Sequence, residues 1–163
     1  MGWCYKMIEL DEIMRMINWN SDIQTQERGI QLAHQINDLS VFLQPMKYGS
    51  KAVWDNCAKI LAERSDDELD PYMVYLLEWL QDINWPGAFT IMNRLKTFSG
   101  QKLKYPFERT VDKAIKLNNE DGLMWLDYLS ELLDNKELKM KLQRWIVEIL
   151  KKHYHNWAGW YKE

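Results

Sequence analysis

The stretch from Leu76 to Ala88 constrains the fold of this chain more than any other. It reads Leu76-Leu77-Glu78-Trp79-Leu80-Gln81-Asp82-Ile83-Asn84-Trp85-Pro86-Gly87-Ala88. Apolar residues recur at helical spacing as far as Leu80, and the following Asn-Trp-Pro-Gly run is typical of a turn, because proline and glycine interrupt regular structure. The stretch therefore predicts a helix that ends near Gln81, a tight corner, and a second helix that begins at Pro86.

The same helical spacing continues along almost the whole chain, and no run of alternating apolar and polar residues competes with it as a strand. The spacing predicts helices over residues 4–18, 22–36, 51–64, 70–81, 86–98, 106–117 and 123–133, followed by a last long helix capped by Asp134 and Glu137. The predicted fold class is all-α. About seven or eight helices would form a HEAT-like α-α superhelix or a compact orthogonal array.

Capping residues, prolines and glycines mark the expected helix boundaries. The expected start signals are a capping box of Ser21 with Gln24, the pair Asp70-Pro71, then Pro86 and Pro106. Ser99-Gly100 is interpreted as a glycine stop. Residues 37–50 are expected to form a connection with one helical turn around Val41.

Length and composition predict one domain without a membrane-spanning segment. The chain has 163 residues, of which 47% are hydrophobic, which suffices for one core and is short for two. The longest apolar run, Met73 to Leu77, is far below the roughly 18 residues of a membrane span. We expect a single helical domain over residues 1–163 with imperfect helical hairpins. A cytoplasmic location is expected, because no secretion signal opens the chain and its two cysteines form no close pair.

Charge is distributed unevenly along the chain. Residues 1–92 contain 7 Lys and Arg against 14 Asp and Glu, whereas residues 93–163 contain 14 against 10. An acidic run, expected in a loop between two helices, could attract a basic partner; its members are Glu63, Asp66, Asp67, Glu68 and Asp70. A basic patch over residues 94–116 could instead contact phosphates; its members are Arg94, Lys96, Lys102, Lys104, Arg109, Lys113 and Lys116. The net charge of -3 disfavours a domain that binds mainly phosphates.

Sequence motifs for catalysis, phosphate binding or metal binding are missing. His153 and His155 would point about 200° apart on a helix, which prevents joint metal ligation, and His34 is interpreted as a boundary histidine. Glu78 and Asp82 would share a helix face, so they are the candidate carboxylates of an enzyme, although a solvated face or a pair of structural caps is favoured. We therefore expect no cofactor, no metal and no catalytic residue.

The chain contains 9 tryptophans, and each buried indole needs a partner for its N–H group. The indoles that align with apolar stripes, and are expected in the core, are Trp54, Trp79, Trp125 and Trp145. Trp85 is expected to be buried at the corner. The C-terminal segment 153–163 is rich in aromatic residues, Trp157, Trp160 and Tyr161. It is interpreted as a cap on the last helix, with an exposed binding patch as the alternative.

Two resemblances concern the corner. The pattern Asp82-x-x-Trp85-Pro86-Gly87-Ala88, with Ile91 and Leu95 beyond it, is similar to the start of the inner helix of a HEAT-like repeat. The run E-W-L-x-D-x-N-W-P, residues 78–86, resembles a small bacterial family of uncharacterised helical proteins over roughly residues 50–98. Membership would imply a HEAT-like superhelix and carry over no active site. The residues of its structural corner would be Asp82, Asn84, Trp85, Pro86 and Gly87.

Three functions are compatible with these patterns. The favoured one is a non-catalytic protein-binding helical-repeat module, with a bacterial immunity protein or an inhibitor of a basic toxin as a special case. The alternative is a nucleic-acid-binding or base-repair-like protein that uses residues 94–116, since HEAT-like folds resembling alkylpurine DNA glycosylases hold nucleic acid in a basic groove. The least favoured is an enzyme with a carboxylate site. The expected partner is another protein, basic if the acidic run makes the contact, with nucleic acid as the alternative and no membrane.

Overall fold

Helices make up the regular structure of the chain in its computed structural model. The structure describes residues 2–47 and 50–156, and the side chains of residues 9–47 and 51–156. This described part contains helices and turns and no strand, which confirms the all-α prediction. The chain divides into two compact units, residues 1–64 and 65–163. The expectation of a single domain over the whole chain stays a prediction.

The first unit contains α1, α2 and α3 in its described residues. They span Gly2–Met16, Ile23–Ala33 and Trp54–Ala62, with 3-10 helices at Leu39–Phe42 and Ser50–Val53. The 3-10 helix at Leu39–Phe42 confirms the predicted helical turn. Helices α1 and α2 pack together, and a Cβ atom at Gly29 would lie 2.8 Å from side-chain atoms of Met16 and Ile17. A side chain at Gly29 would therefore push the two helices apart.

The start of α2 differs from the prediction. Asp22 is the N-cap residue, and its Oδ1 accepts a hydrogen bond from the backbone N of Thr25 at 2.8 Å. The hydroxyl of Ser21 instead donates to the carbonyl of Arg15 at 2.9 Å. The predicted capping box of Ser21 and Gln24 is wrong, because the hydroxyl that it needed is used at the end of α1.

Two buried polar side chains bind the carbonyl ends of helices in the first unit. Asn56 Nδ2 donates to the carbonyl of Ile17 at 2.7 Å. Arg64 Nη2 donates to the carbonyls of Ala33 and Ile36 at 2.8 and 2.9 Å. The last carbonyls of a helix have no partner inside that helix. The two side chains supply those partners where water is excluded.

The second unit contains seven α-helices in its described residues. They are α4 (Asp66–Leu69), α5 (Met73–Glu78), α6 (Ala88–Lys96), α7 (Gly100–Leu117), α8 (Glu120–Ser130), α9 (Lys136–Lys141) and α10 (Arg144–His153). Short 3-10 helices follow α4, α5 and α8, at Asp70–Tyr72, Trp79–Gln81 and Glu131–Asp134. Helix α7 packs against α5, α8 and α9, so it forms the centre of this unit.

Two indoles lie fully buried in the core of the second unit. Trp79 is 0% exposed and Trp125 is 1% exposed. Their N–H groups donate to the carbonyls of Pro86 and Leu77 at 3.0 and 3.1 Å, so neither indole is buried without a partner. The core positions confirmed by burial are Trp54, Trp79 and Trp125.

Helix α7 begins earlier than predicted. Ser99 is its N-cap, with a hydroxyl that accepts from the backbone N of Lys102 at 3.3 Å. Gly100 is therefore the first residue of α7 and not a stop, and Pro106 lies inside the helix and not at its start. A Cβ atom at Gly100 would lie 2.3 Å from the backbone N of Leu138 in α9. The glycine is needed for this close approach.

The last predicted helix is divided into α9 and α10. Asn135, and not Asp134, caps α9, because its Oδ1 accepts from the backbone N of Leu138 at 3.1 Å. Leu142 has an extended backbone and separates the two helices. Trp145 follows in α10 and is 47% exposed, so the prediction that it lies in the core is wrong.

Asn135 also connects α9 to the end of α6. Its Nδ2 donates to the carbonyls of Leu95 and Phe98 at 3.0 and 2.8 Å. The side chain is buried. Its amide nitrogen thus satisfies two carbonyls at the end of α6, and its amide oxygen satisfies a backbone N–H group at the start of α9.

None of the helices in the described ranges is both long and apolar enough to cross a membrane. The aromatic residues Trp157, Trp160 and Tyr161 of the predicted C-terminal cap lie outside the described residues.

Candidate binding surfaces

Most of the acidic run forms a helical turn. Ser65 and Glu68 make a reciprocal capping box, which starts α4 at Asp66–Leu69. The prediction of a loop is therefore wrong for this segment, because the capping box satisfies the free amides of a helix start. Asp70 and Pro71 begin a 3-10 helix, as a helix start was predicted there, but this element follows α4 directly and α5 begins only at Met73.

The remaining acidic residue, Glu63, belongs to the first unit. Its Oε2 lies 2.8 Å from His34 Nε2, and each side chain is 50% exposed. His34 Nδ1 is 3.1 Å from the carbonyl of Gln31. His34 is therefore an exposed residue with a carboxylate partner and not part of the apolar stripe beside it.

The acidic helix α4 contacts the basic patch. Asp66 Oδ1 accepts from Arg94 Nη2 at 2.6 Å, and Asp66 Oδ2 accepts from the backbone N of Ser99 at 2.9 Å. Asp67 forms an ion pair with Lys102. The hydrogen bond between them lowers the pKa of Asp67 and raises the pKa of Lys102. We name Asp66, Asp67, Arg94 and Lys102 the charge seam. The two surfaces expected from the sequence as alternatives are here partners of each other.

Three more residues of the basic patch also have carboxylate partners. The pairs are Lys96 with Asp134 at 3.1 Å, Lys113 with Glu78 at 3.2 Å and Lys116 with Asp112 at 2.8 Å. Lys104 and Arg109 have none among the described residues, although the Arg109 guanidinium lies 5.8 Å from the centre of the Tyr105 ring. The patch therefore presents much less net positive charge than its sequence suggests.

An open groove of about 520 Å³ lies between α5 and the C-terminal half of α7. Val74 and Leu117 line it with apolar side chains that are 45% and 42% exposed. Charged side chains of α7 line the rest, and they are Arg109, Asp112, Lys113 and Lys116. Its volume falls within the range of about 300 to 1,000 Å³ that is usual for ligand sites.

The corner at residues 82–87 has a different geometry from the one predicted. Asp82 Oδ1 accepts from the backbone N of Asn84 at 2.9 Å, so this carboxylate stabilises the turn itself. Gly87, with φ 85°, is the N-cap of α6 and has no side-chain cap. The prediction that Pro86 opens the next helix is therefore wrong. α6 begins after the left-handed glycine.

The indole that is buried at this corner is Trp79, whose N–H group donates to the carbonyl of Pro86. Trp85 is partly buried at the same corner, and Trp79 is the more deeply buried of the two indoles. Trp79 precedes Asp82 in the chain and Trp85 follows it. The 3-10 helix ends at Asp82, which has an extended backbone.

The candidate carboxylate site at Glu78 and Asp82 is not formed as expected. Glu78 ends α5, and the 3-10 turn Trp79–Gln81 lies between it and Asp82. The two residues therefore do not occupy successive turns of one α-helix, and Glu78 pairs with Lys113 instead. The geometric basis for coupled carboxylates is absent at these two positions.

A row of carboxylates that was not predicted from the sequence runs from α8 into the 3-10 helix that follows it. Asp127, Glu131 and Asp134 recur at intervals of four and three, which is the spacing of one helix face. The side chains of Asp127 and Glu131 are 10% and 3% exposed. Three residues at the end of α10 contact this row. They are His153, Tyr154 and His155, and we name the six residues the acid–histidine cluster.

Each carboxylate of the cluster has its own partner. His153 Nδ1 lies 2.7 Å from Asp127 Oδ1, and His155 Nδ1 lies 3.0 Å from Glu131 Oε1. The hydroxyl of Tyr154 donates to Asp134, which raises the pKa of Tyr154 to about 12.

The pKa of Asp134 reflects opposing effects. Burial raises it, but the hydrogen bonds from Tyr154 and Lys96 outweigh burial and hold it below its usual value. The carboxylate spacing was readable in the sequence, whereas its partners at the end of α10 were not.

One comparison with known proteins gave a match. The family model described as domain of unknown function (DUF5071) matches residues 51–157. The chain belongs to the DUF5071 family. Searches of curated proteins and of solved structures gave no match. The resemblance expected for roughly residues 50–98 lies mostly within the matched range, and the HEAT-like arrangement stays a prediction.

The chemistry of this DUF5071 protein must be argued from its own side chains, because the family description assigns no activity. Among its described residues, no group of three or more His, Cys, Asp or Glu side chains could hold a metal ion. Cys57 is buried, and burial raises the pKa of its thiol well above the usual range, which makes it a poor nucleophile.

Proposed function

We propose that this DUF5071 protein is a non-catalytic protein-binding helical module. The observation that carries the proposal is a contrast on the surface of the second unit. Most charged residues that the sequence offered as sites have a polar or oppositely charged side-chain partner elsewhere in the chain, whereas the groove between α5 and α7 keeps apolar side chains at the surface. Exposed apolar surface with a polar rim is characteristic of protein interaction sites.

Packing of consecutive helices supports a repeat-like arrangement as part of this proposal. Helix α1 packs against α2, and α7 packs against α8. Stacked helix pairs are the units of HEAT-like proteins, which offer extended surfaces to partners.

An inhibitor of a basic toxin is the special case of this proposal. It would use Asp67 and Asp70, both of which are exposed. Asp67 already pairs with Lys102, but its side chain is 86% exposed, and exposed ion pairs contribute little free energy. A cationic group of a partner could therefore replace Lys102 at small cost.

Nucleic-acid binding is the second candidate function. The observation that favours it is the exposed ring of Tyr105 with the Arg109 guanidinium beside it on α7. Aromatic rings and arginine next to them can stack with unpaired bases. The carboxylates that pair with five basic residues of the patch oppose it, because phosphates would be repelled by them.

Affinity capture with the full chain from extracts of the source cell tests the proposal. We expect recovery of a protein, whose binding to the purified chain is then measured by titration calorimetry. Burial of apolar surface predicts a negative heat-capacity change on binding. Recovery of nucleic acid without protein would favour the second candidate, and capture of neither would contradict the proposal.

The special case has its own readout. Replacement of Asp67 and Asp70 by Asn should slow association with a basic toxin and flatten its salt dependence, because long-range attraction sets the on-rate. A matched control is the replacement of Glu120 and Asp121 by Gln and Asn, at the start of α8, which changes the net charge equally. Equal slowing by both variants would show a non-specific charge effect and contradict the special case.

A further inference from the structure

We infer that the groove between α5 and α7 binds an acidic protein segment that carries a large apolar side chain. The inference rests on the proposed function and names the class of partner that this groove accepts.

Val74 and Leu117 form the apolar part of the groove. Nearly half of each side chain is exposed, on the α5 wall and at the end of α7 respectively. Covering them with one apolar side chain would remove surface from water, which contributes roughly 25 cal/mol per Å². The groove is open, so an extended segment can enter without movement of either helix.

Helix α7 supplies the charged side chains of the groove. Arg109, Lys113 and Lys116 line the groove, with Asp112 as the one carboxylate among the described lining residues. Arg109 has no carboxylate partner in the described part of the chain. Its guanidinium offers a planar set of donors that fits a carboxylate in bidentate geometry. The groove is therefore complementary to a segment that places a carboxylate near Arg109.

The ion pairs already present do not close the groove to such a segment. The side chains of Lys113 and Lys116 are 60% and 75% exposed in their pairs with Glu78 and Asp112. Pairs this exposed contribute between zero and about 1 kcal/mol. A partner carboxylate that binds Arg109 leaves Glu78 and Asp112 on their own lysines, so neither pair has to break.

A protein segment fits this groove better than a nucleic-acid strand. Phosphates follow each other at regular intervals and would approach Glu78 and Asp112 as well as the cations. A peptide can place a carboxylate at Arg109 and an apolar side chain at Val74, so it meets each part of the wall with matching chemistry.

Fluorescence anisotropy with short labelled peptides tests the inference. The peptides contain two Glu residues at varied spacing around one Leu, and their counterparts contain Gln for Glu or Ala for Leu. A labelled oligothymidylate is the nucleic-acid probe. We expect the full chain to bind at least one Glu–Leu peptide more tightly than both of its counterparts.

Variants locate the binding. The double substitution Arg109→Gln and Lys113→Gln should weaken the best peptide about tenfold or more, and Leu117→Gln should weaken it by a smaller factor. The matched control, Lys136→Gln with Lys139→Gln, removes the same charge from exposed positions of α9 and should leave binding unchanged. All the changed side chains are exposed, so each variant should fold. Circular dichroism melts check this.

Several results would overturn the inference. They are a set of peptides in which Glu gives no advantage over Gln, an equal loss in the control variant, or tighter binding of oligothymidylate that the groove variant abolishes. A partner captured from extract equally by the wild-type chain and by the groove variant would leave the proposed function standing and remove the groove from it. Failure of the wild-type chain to capture any protein would instead contradict the proposed function.

Discussion

The charge seam and the acid–histidine cluster both join charged residues that are distant in sequence, yet they differ in exposure. In the seam, Asp67 is 86% exposed and its partner Lys102 is 37% exposed. In the cluster, Asp127 and Glu131 are 10% and 3% exposed. Water screens the pair of Asp67 and Lys102, whereas the carboxylates of Asp127 and Glu131 are largely shielded from water. Polar side-chain pairs that look alike can therefore make very different contributions to the free energy of unfolding.

The comparison shows that the two regions have different roles. The seam neutralises the surface near α4 and weakens both charge-based hypotheses from the sequence. The cluster attaches the end of α10 to α8 and to the 3-10 helix after it through the largely buried carboxylates of Asp127 and Glu131, so its loss should destabilise the fold.

The largest expected effect concerns the buried indole of Trp125 in α8. Trp125→Ala should lower the free energy of unfolding by about 3 to 5 kcal/mol, since it creates a cavity and leaves the carbonyl of Leu77 without its donor. The measurement is urea denaturation followed by circular dichroism. Trp145→Ala, at an exposed position, is the control and should cost less than about 1 kcal/mol. Similar losses for both variants would contradict the burial pattern.

The second prediction compares a buried and an exposed histidine–carboxylate pair. His153→Ala should lower the free energy of unfolding by about 2 kcal/mol, because the buried Asp127 carboxylate loses a hydrogen-bond donor. His34→Ala removes the exposed pair with Glu63 and should change it by about 0.5 kcal/mol or less. Equal effects in denaturant titrations would remove the distinction between the two kinds of pair.

The third prediction examines the seam itself. Asp66→Asn should cost about 1 kcal/mol, since Asp66 loses a charged hydrogen bond to Arg94 and weakens its bond to the backbone of Ser99. Asp70→Asn, at an exposed neighbouring position, should leave the denaturation midpoint unchanged. A loss for Asp66→Asn as large as that for Trp125→Ala would show that the seam stabilises the fold as strongly as a buried indole does.

The smallest effect is a titration. The pKa of Tyr154 is raised from 10.0 to about 12 by the hydrogen bond to Asp134. A raised folded-state pKa contributes stability that is fully present below pH 10 and is lost as the pH rises from about 10 towards 12. The ultraviolet absorbance titration of the Tyr154→Phe variant is subtracted from that of the wild-type chain. The difference should be the titration of one tyrosine with a midpoint near pH 12, and Asp134→Asn should lower that midpoint. A difference curve centred near pH 10 in the wild-type chain would disprove the bond.

Local sequence patterns predicted the helices and three of the core indoles. Helical spacing of apolar residues is set within a few turns, so it can be read without knowledge of the fold. Trp54, Trp79 and Trp125 lie on such stripes and are buried. Trp145 lies on a similar stripe but remains exposed, because the stripe does not say which helix is covered by a neighbour.

Some local signals were present but assigned wrongly. Ser65 and Glu68 form a Ser-x-x-Glu capping box, yet the high charge of the run favoured a loop. Ser99 similarly begins α7, although the following Gly100 was interpreted as a stop. Glycine ends helices and also allows close packing, and only the nearness of α9 distinguishes the two roles.

The ion pairs could not be predicted from local sequence. Asp66 and Arg94 are 28 residues apart, and Lys102 and Asp67 are 35 apart. Nothing near either residue indicates its partner, because the contact depends on how α4 packs against later elements. The acid–histidine cluster is an intermediate case, since its carboxylate spacing was readable but its histidines belong to another helix.

The position of Asn135 has a consequence for local opening of the fold. Its amide group holds the carbonyls of Leu95 and Phe98 while its oxygen holds the backbone N of Leu138. Fraying at the end of α6 would leave Asn135 Nδ2 without its acceptors, and unwinding at the start of α9 would withdraw Asn135 from those carbonyls, although the two sites are about 40 residues apart. Segments linked in this way open as one cooperative unit, and their amide hydrogens exchange with solvent through a shared opening event. A connection that occupies a single side chain thus makes the end of α6 and the start of α9 one unit of local stability.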